Sequence, residues 1–354
     1  MTPQWWAQPC QPVSEPHADE ARSRQQQLTK PPGSLGRIEE LAITLAGLQG
    51  TARPRAAQVP VVLFAADHGV TAQGVSAFPS EVTVQMLSNF AAGGAAISVL
   101  ARELGLDLHV RDVGTMAAEQ LPGTKADRTR RGTADFSIEA AMSEGDVSHA
   151  LAAGRRAVTD VAVGADALLL GDMGIGNTAA ASAVIGALTE LPGERLVGAG
   201  TGLDAEGVER KRVVVERALA LHREGIDAAA EPAQEALRRV GGLEIAALAG
   251  AIVAAAQNGV PVLVDGFVVT AAALAAVRLN PDVRPWLIFS HCSAEQGHQA
   301  VLDELGAAPV LDLGMRLGEA SGAALALPLL RLACALHSGM STFAEAAVAT
   351  KADG

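Results

Sequence analysis

The segment "ALLLGDMGIGNTAAASAVIGAL", Ala167–Leu188, decides the fold. Its first part has no polar alternation, the pattern of a strand buried on both faces. Its last part is rich in Ala and reads as a helix. Between them, Gly174 and Gly176 let the chain turn sharply or approach a ligand closely. Asn177 and Thr178 follow as cap-forming residues with free helix N–H groups behind them. The turn can be a plain tight turn, or it can cradle a phosphate at a helix N-terminus. It is not a Walker A loop, because no Lys follows the glycines, and it does not match GxGxxG.

The same alternation runs outward in both directions. Apolar runs at Val59–Asp67, Leu106–Gly114, Ala165–Gly174, Arg195–Gly200, Val260–Phe267, Pro285–Ser293 and Ala308–Gly314 are separated by Ala-rich helical stretches. Strand alternating with helix predicts an α/β fold with a parallel sheet and right-handed crossovers. Asp67 and His68, Asp112, Asp172, Asp265, Ser290 and His291, and Asp312 all fall at the C-terminal ends of these runs. Any one of them can be a turn former. Together they mark the edge where open parallel sheets bind ligands.

The chain ends differ from this middle. Ala18–Gln49 reads as two helices broken by "KPPGSLG", Lys30–Gly36, since Pro31 and Pro32 cannot continue a helix. The helices from Gly318 onward have no strand after them. Residues 1–57 and 318–354 are therefore expected to form a small helical domain beside an α/β core of residues 58–317. The polar stretch Gly123–Asp135 reads as a solvated loop.

Of the 354 residues, 49% are hydrophobic and 19% charged, enough to bury a sizeable core. The net charge of −12 argues against a nucleic-acid partner, which requires a basic face. Cys10, Cys292 and Cys334 show no pairing pattern and no CxxC, so neither a disulfide framework nor a zinc site is suggested. "MTPQWWAQPC" lacks the basic and apolar regions of a signal peptide. Apolar runs such as Ile245–Ala256 fall short of the roughly 18–20 residues of a membrane span. A soluble, cytoplasmic protein with no membrane span is expected.

Three further segments can carry chemistry. "GAGTGLDAEGVERKRVVVERAL", Gly198–Leu219, places Gly200 and Gly202 in a second glycine-rich turn, with Lys211 two turns inside the helix that follows. That helix face can be solvated and laced with ion pairs, or Lys211 can reach back to a phosphate. "AADHGVTAQGVSAFPSEVTVQM", Ala65–Met86, puts Phe78, Pro79 and Met86 together as an apolar wall, with Ser80 as a helix cap. In "GMRLGEASGAALALPLL", Gly314–Leu330, Glu319 is the only charged residue between Arg316 and Arg331. Glu319 is either an anion favoured by a helix N-terminus or a catalytic base in an apolar pocket. No G-x-S-x-G elbow supports a serine hydrolase. No HxH or HxxxH spacing makes His68 or His291 a metal ligand. A hydrogen-bonded structural role suits them better.

"KPPGSLGRIEELA", "ADHGV", "GVSAFPSEVT", "LLLGDMGIGNTAAA", "GAGTGLD", "VDGFVVTAAAL", "SHCSAEQGH" and "LDLGMRLGEASGAALALPLL" occur in this order over nearly the whole chain. The set resembles the nicotinate-nucleotide–dimethylbenzimidazole phosphoribosyltransferase family of cobalamin lower-ligand synthesis. The resemblance implies a doubly wound, mainly parallel, Rossmann-like sheet, a small domain built from both chain ends, and a homodimer. It implies transfer of the phosphoribosyl group of nicotinate mononucleotide to 5,6-dimethylbenzimidazole, giving α-ribazole 5′-phosphate and nicotinate. No metal or cofactor is implied.

The family's catalytic glutamate falls on Glu319 as general base. Leu317, Phe78, Pro79, Ser80 and Met86 fall around the flat base. Gly174, Gly176, Asn177, Thr178, Gly200, Gly202 and Lys211 fall on the phosphate and ribose. Asp172, Asp265, Ser290 and His291 are candidate supporting residues for an oxocarbenium-like centre. A related benzimidazole or a purine remains open as acceptor. Two other functions remain open: a hydrolase or nucleosidase that directs Glu319 at water, and a nucleotide-binding protein without turnover.

Overall fold

A computed structural model describes residues 4–349. The outer limits expected for the end domain, at 1–3 and 350–354, and the first three residues of the stretch searched for a signal peptide lie outside the described residues. Six strands form one sheet: β1 (Val61–Ala66), β2 (Leu108–Gly114), β3 (Thr124–Ala126), β4 (Leu168–Met173), β5 (Val262–Val264) and β6 (Leu287–Phe289). Their order is β3-β2-β1-β4-β5-β6, and every neighbouring pair is parallel. This is the order of a doubly wound Rossmann-like sheet, with its switch point between β1 and β4. Leu63 of β1 lies opposite Val110 of β2 and Gly171 of β4, and all six residues of β1 are buried.

Thirteen α-helices accompany the sheet within the described residues. The first half holds α1 (Glu15–Gln27), α2 (Arg37–Gln49), α3 (Glu81–Ala92), α4 (Ala96–Leu104), α5 (Glu144–Val161) and α6 (Asn177–Leu188). The second half holds α7 (Gly193–Leu196), α8 (Ala205–Asp227), α9 (Pro232–Val240), α10 (Leu243–Gln257), α11 (Phe267–Leu279), α12 (His298–Glu304) and α13 (Ser321–Gly339). The heavy use of Ala and Gly has a direct cause in the pair α5 and α10. A Cβ at Gly154 would lie 1.9 Å from the Ala247 carbonyl oxygen, and one at Gly250 would lie 2.1 Å from that of Leu151. The two helices therefore cross with their backbones in contact.

The structure departs from the sequence reading at three runs. Arg195–Gly200 is not a strand: Arg195 and Leu196 close the short α7, and Gly200 donates its N–H to Glu295 instead of to a neighbouring strand. Ala308–Gly314 forms no strand of its own: Val310 donates its N–H to the Phe289 carbonyl of the three-residue edge strand β6, and Leu311 makes an isolated bridge to His291 just beyond it. Within Gly123–Asp135, Thr124–Ala126 is β3, paired with β2. It is an edge strand with an exposed Lys125, and edge strands tolerate the polar composition that made this stretch read as a loop.

The two ends meet. Leu28 bridges Thr342, Arg24 donates to the His337 carbonyl at 2.8 Å, and the buried Gln25 amide lies 2.9 Å from His337 Nδ1. α13 packs on α2, and it also touches α4 and β4. The helical stretches Glu81–Leu104 and Ser321–Gly339 are long and apolar enough to cross a membrane by length and composition alone. This corrects the reading that every apolar run falls short. The first stretch is interrupted by left-handed Gly93 between α3 and α4. Half of the second stretch is buried inside the molecule, and buried core helices pass the same test.

Candidate active site

β4 ends in Asp172 and Met173, and the chain turns through Gly174–Gly176 into α6. Gly176, at φ 90°, takes the N-cap position, so Asn177 is the first helical residue rather than the cap. Its side-chain amide instead donates to Asp172 Oδ2 at 2.9 Å. Gly174 is required by close approach. A Cβ there would lie 2.6 Å from the Ala66 carbonyl oxygen and 3.1 Å from His68 Nε2. His68 and Glu244, both fully buried, are paired at 2.7 Å beneath this turn.

Above the turn lies a cavity of about 440 Å³. Phe78, Val82, Met86, Ile175, Phe267 and Leu317 supply apolar wall. Asp172, Asn177, Thr178, Glu295, Arg316 and Glu319 supply the polar groups. One concave site, mostly apolar with a few convergent polar groups, is the usual form of a small-molecule site.

Glu319 does not sit inside the helix it precedes. It and Ala320 both have left-handed backbones, φ 62° and 64°. Such conformations cost non-glycine residues on the order of 1–3 kcal/mol each and cluster at functional sites. Gly171, in the middle of β4, makes room for them, since a Cβ there would lie 2.7 Å from the Ala320 nitrogen. Burial pushes the Glu319 carboxyl above the usual range, and the charge of Asp265 adds to this. The Ile97 backbone N–H, in the first turn of α4, works against it. The helix end acting on this carboxyl is thus that of α4. Glu319 Oε2 is buried without a partner among the described residues. Asp172 is pushed up to about 8, first by burial and then by the charge of Asp265, against the hydrogen bond from Asn177.

Gly174, Asn177, Thr178, Gly200, Phe78, Met86, Leu317, Asp172 and Glu319 all line the cavity. The other singled-out residues stand back from it. Gly176 packs behind the turn, where a Cβ would lie 2.8 Å from Thr71 Cγ2. Pro79 is not on the lining. Ser80 lines a neighbouring cavity on the other side of α3, with its hydroxyl 3.0 Å from that of Thr71, and makes no side-chain cap to α3. Gly202 is left-handed at φ 116° with open space around it.

Lys211 is fully buried rather than on a solvated helix face. It stands one residue behind the wall, donating to Thr178 Oγ1 at 2.9 Å and to the Gly198 carbonyl at 3.1 Å. Burial lowers its pKa to about 8, opposed by Glu295. Asp265 and His291 lie buried below the cavity, and the Ser290 hydroxyl donates to the Val264 carbonyl. Sequence reasoning did not single out Glu295 or Arg316. Glu295 accepts the Gly200 N–H at 3.0 and 3.2 Å, and Arg316 donates to the Gly200 carbonyl at 2.8 Å. For Glu295 the available signal was that it is the single acidic residue in "SHCSAEQGH". Among the described residues no group of three or more His, Cys, Asp or Glu is arranged to hold a metal ion.

A phosphoribosyltransferase family profile matches residues 10–348. A doubly wound sheet with a glycine turn and a helix N-terminus facing the cavity fits that class. A nicotinate-nucleotide–dimethylbenzimidazole phosphoribosyltransferase of Bradyrhizobium sp. (strain ORS 278) is 60% identical over 349 residues, covering 98% of this chain and 99% of that one. One from Pseudomonas putida (strain W619) is 56% identical over 353 residues, covering 99% of each. The crystal structure of the enzyme of this name from Thermus thermophilus superposes with a TM-score of 0.89 at 44% identity. It covers 96% of this chain and 100% of its own. The chain belongs to the nicotinate-nucleotide–dimethylbenzimidazole phosphoribosyltransferase family.

Proposed function

We propose that this chain moves the phosphoribosyl group of nicotinate mononucleotide onto 5,6-dimethylbenzimidazole, giving α-ribazole 5′-phosphate and nicotinate, with Glu319 as general base. The observation that carries this reading is the unpartnered Glu319 carboxylate oxygen beside an apolar slot, opposite the glycine turn. The neutral benzimidazole nitrogen attacks C1′ of the ribose as the bond to the pyridinium nitrogen breaks. The bonding pair returns to that nitrogen, which leaves neutral and needs no proton. The attacking ring becomes cationic and gives its N–H proton to Glu319. Inversion from the β to the α anomer puts the two rings on opposite faces of the ribose.

Phe78, Met86 and Leu317 suit the flat acceptor, with Pro79 and Ser80 setting the entry to α3. The phosphate lies on the Gly174–Thr178 turn, where the N-terminus of α6 favours an anion, with the Gly200–Gly202 loop beside it. Lys211 shapes that loop through Thr178 and Gly198. Lys211→Met is expected to raise the nucleotide's KM about tenfold, the size of one hydrogen bond to a charged group. Its kcat changes less. Initial rates at varied nucleotide separate the two.

The helices of both chain ends form a small domain, and α13 links it to the core. The protein acts in the cytoplasm on small molecules, with no nucleic acid and no membrane span, and as a homodimer. Support for the dimer comes from α13, where Leu325, Leu332 and Leu336 are exposed along one face at helical spacing. Leu332→Asp is expected to shift the mass in sedimentation from two chains to one.

The test of function is an assay with nicotinate mononucleotide and 5,6-dimethylbenzimidazole, followed by chromatography. Nicotinate and α-ribazole phosphate should appear in equal amounts. Nicotinate released at the same rate without acceptor would mean hydrolysis, and binding without turnover would mean a nucleotide-binding protein.

A further inference from the structure

α13 begins without a local cap. Its N-cap residue, Ala320, is left-handed and offers no side-chain acceptor. Helix N-termini leave backbone N–H groups that need a partner. The N–H of Ala323, in the first turn, is met by Asp265 Oδ1 at 2.9 Å. Asp265 comes from the loop that leaves β5, so this bond ties the sheet edge to the turn carrying Glu319. Asp265 is buried, does not line the cavity, and keeps Oδ2 without a partner among the described residues.

His291 stands beside it, with Nε2 3.9 Å from Asp265 Oδ1. Two glycines leave room for the ring. A Cβ at Gly322 would lie 2.0 Å from His291 Cδ2, and one at Gly266 would lie 3.2 Å from Nε2. A neutral Ser or Asn caps a helix without burying a charge, whereas a buried carboxylate carries a desolvation cost. A costly cap placed directly after two strained residues suggests a task beyond capping.

We propose that Asp265, packed against His291, is a positioning residue for Glu319: by holding the first turn of α13 it keeps Glu319 and Ala320 left-handed and the Glu319 carboxylate at the cavity. This rests on the reading of Glu319 as the base. Asp265 touches no substrate and acts only through the turn.

The test uses the full chain with Asp265→Asn, Asp265→Ala and Asp265→Glu. Initial rates are measured with nicotinate mononucleotide and 5,6-dimethylbenzimidazole, and nucleotide binding by calorimetry. Asp265→Asn keeps an acceptor oxygen for Ala323 and should retain most of kcat. Asp265→Ala removes the tether, and Asp265→Glu pushes the turn by one methylene. Both should lose kcat by about 10- to 100-fold, the effect of misplacing a reacting group by up to an ångström. Nucleotide affinity should stay at the wild-type value in all three.

Three results would overturn the proposal: wild-type kcat in the Ala and Glu variants, an Asn variant as slow as the Ala variant, or affinity falling in step with kcat. If the Ala variant does not fold, the contrast between Asn and Glu decides. Failure of the base reading looks different. Glu319→Gln would then keep its activity whatever the Asp265 variants do, and both readings would fall.

Discussion

Glu319→Gln is expected to lower kcat by about 10²–10⁴-fold, the usual range for loss of one general acid–base group. The nucleotide's KM should hardly change, because the amide keeps the shape of the carboxylate and the turn proposed to hold the phosphate lies on another segment. A loss confined to kcat marks an interaction made in the transition state. The pH profile gives an independent readout. A base must be ionised to work, so wild-type activity falls as pH drops through the pKa of Glu319. Burial and the charge of Asp265 raise that pKa and the Ile97 N–H only partly offsets them. The acid limb should therefore lie above the range of an exposed glutamate, and it should vanish in the Gln variant. A variant nearly as fast as wild type would reduce Glu319 to an anion at the N-terminus of α4.

Gly171→Ala should produce the second large effect, from a residue outside the cavity lining. Glycine inside a central strand is unfavourable unless another backbone approaches it. Here that backbone is the Glu319–Ala320 turn, and an added Cβ would sit 2.7 Å from the Ala320 nitrogen and 2.8 Å from the Glu319 carbonyl carbon. Neither atom is the far end of a flexible side chain, so the turn itself must move. Overpacking of this kind costs about 1–3 kcal/mol, read as a lower denaturant midpoint. Displacing the base should also cost up to about 100-fold in kcat. Unchanged turnover in a destabilised variant would show that the turn adjusts without moving the carboxylate.

The fold was legible where burial on two faces left a mark in composition. The runs beginning at Val59, Leu106, Ala165, Val260 and Pro285 carry β1, β2, β4, β5 and β6. β3 was hidden because an edge strand needs no apolar run, and Arg195–Gly200 misled because glycines can satisfy their N–H groups elsewhere, here at Glu295. For the site, composition pointed at Glu319 and the glycine turn, since a lone charge or paired glycines stand out against apolar neighbours. It could not reveal which polar groups face the cavity. Lys211 looks like any helix-surface cation in sequence, yet the crossing of α8 behind Thr178 buries it completely. Asp265 and Asp172 occupy matching places at strand ends, but only Asp172 reaches the cavity.

The contact of α5 with α10 at Gly154 and Gly250 bears on how this enzyme can be engineered. Thermal tolerance is often raised by filling voids with larger side chains. Along this crossing there is no void to fill, because main chain already occupies the space a methyl would take. Substitutions there would separate the helices rather than improve their fit. Larger side chains are better tried at the exposed ends, and tighter loops at positions whose backbone already suits proline. The small-residue seam is best left alone in any library built on this chain.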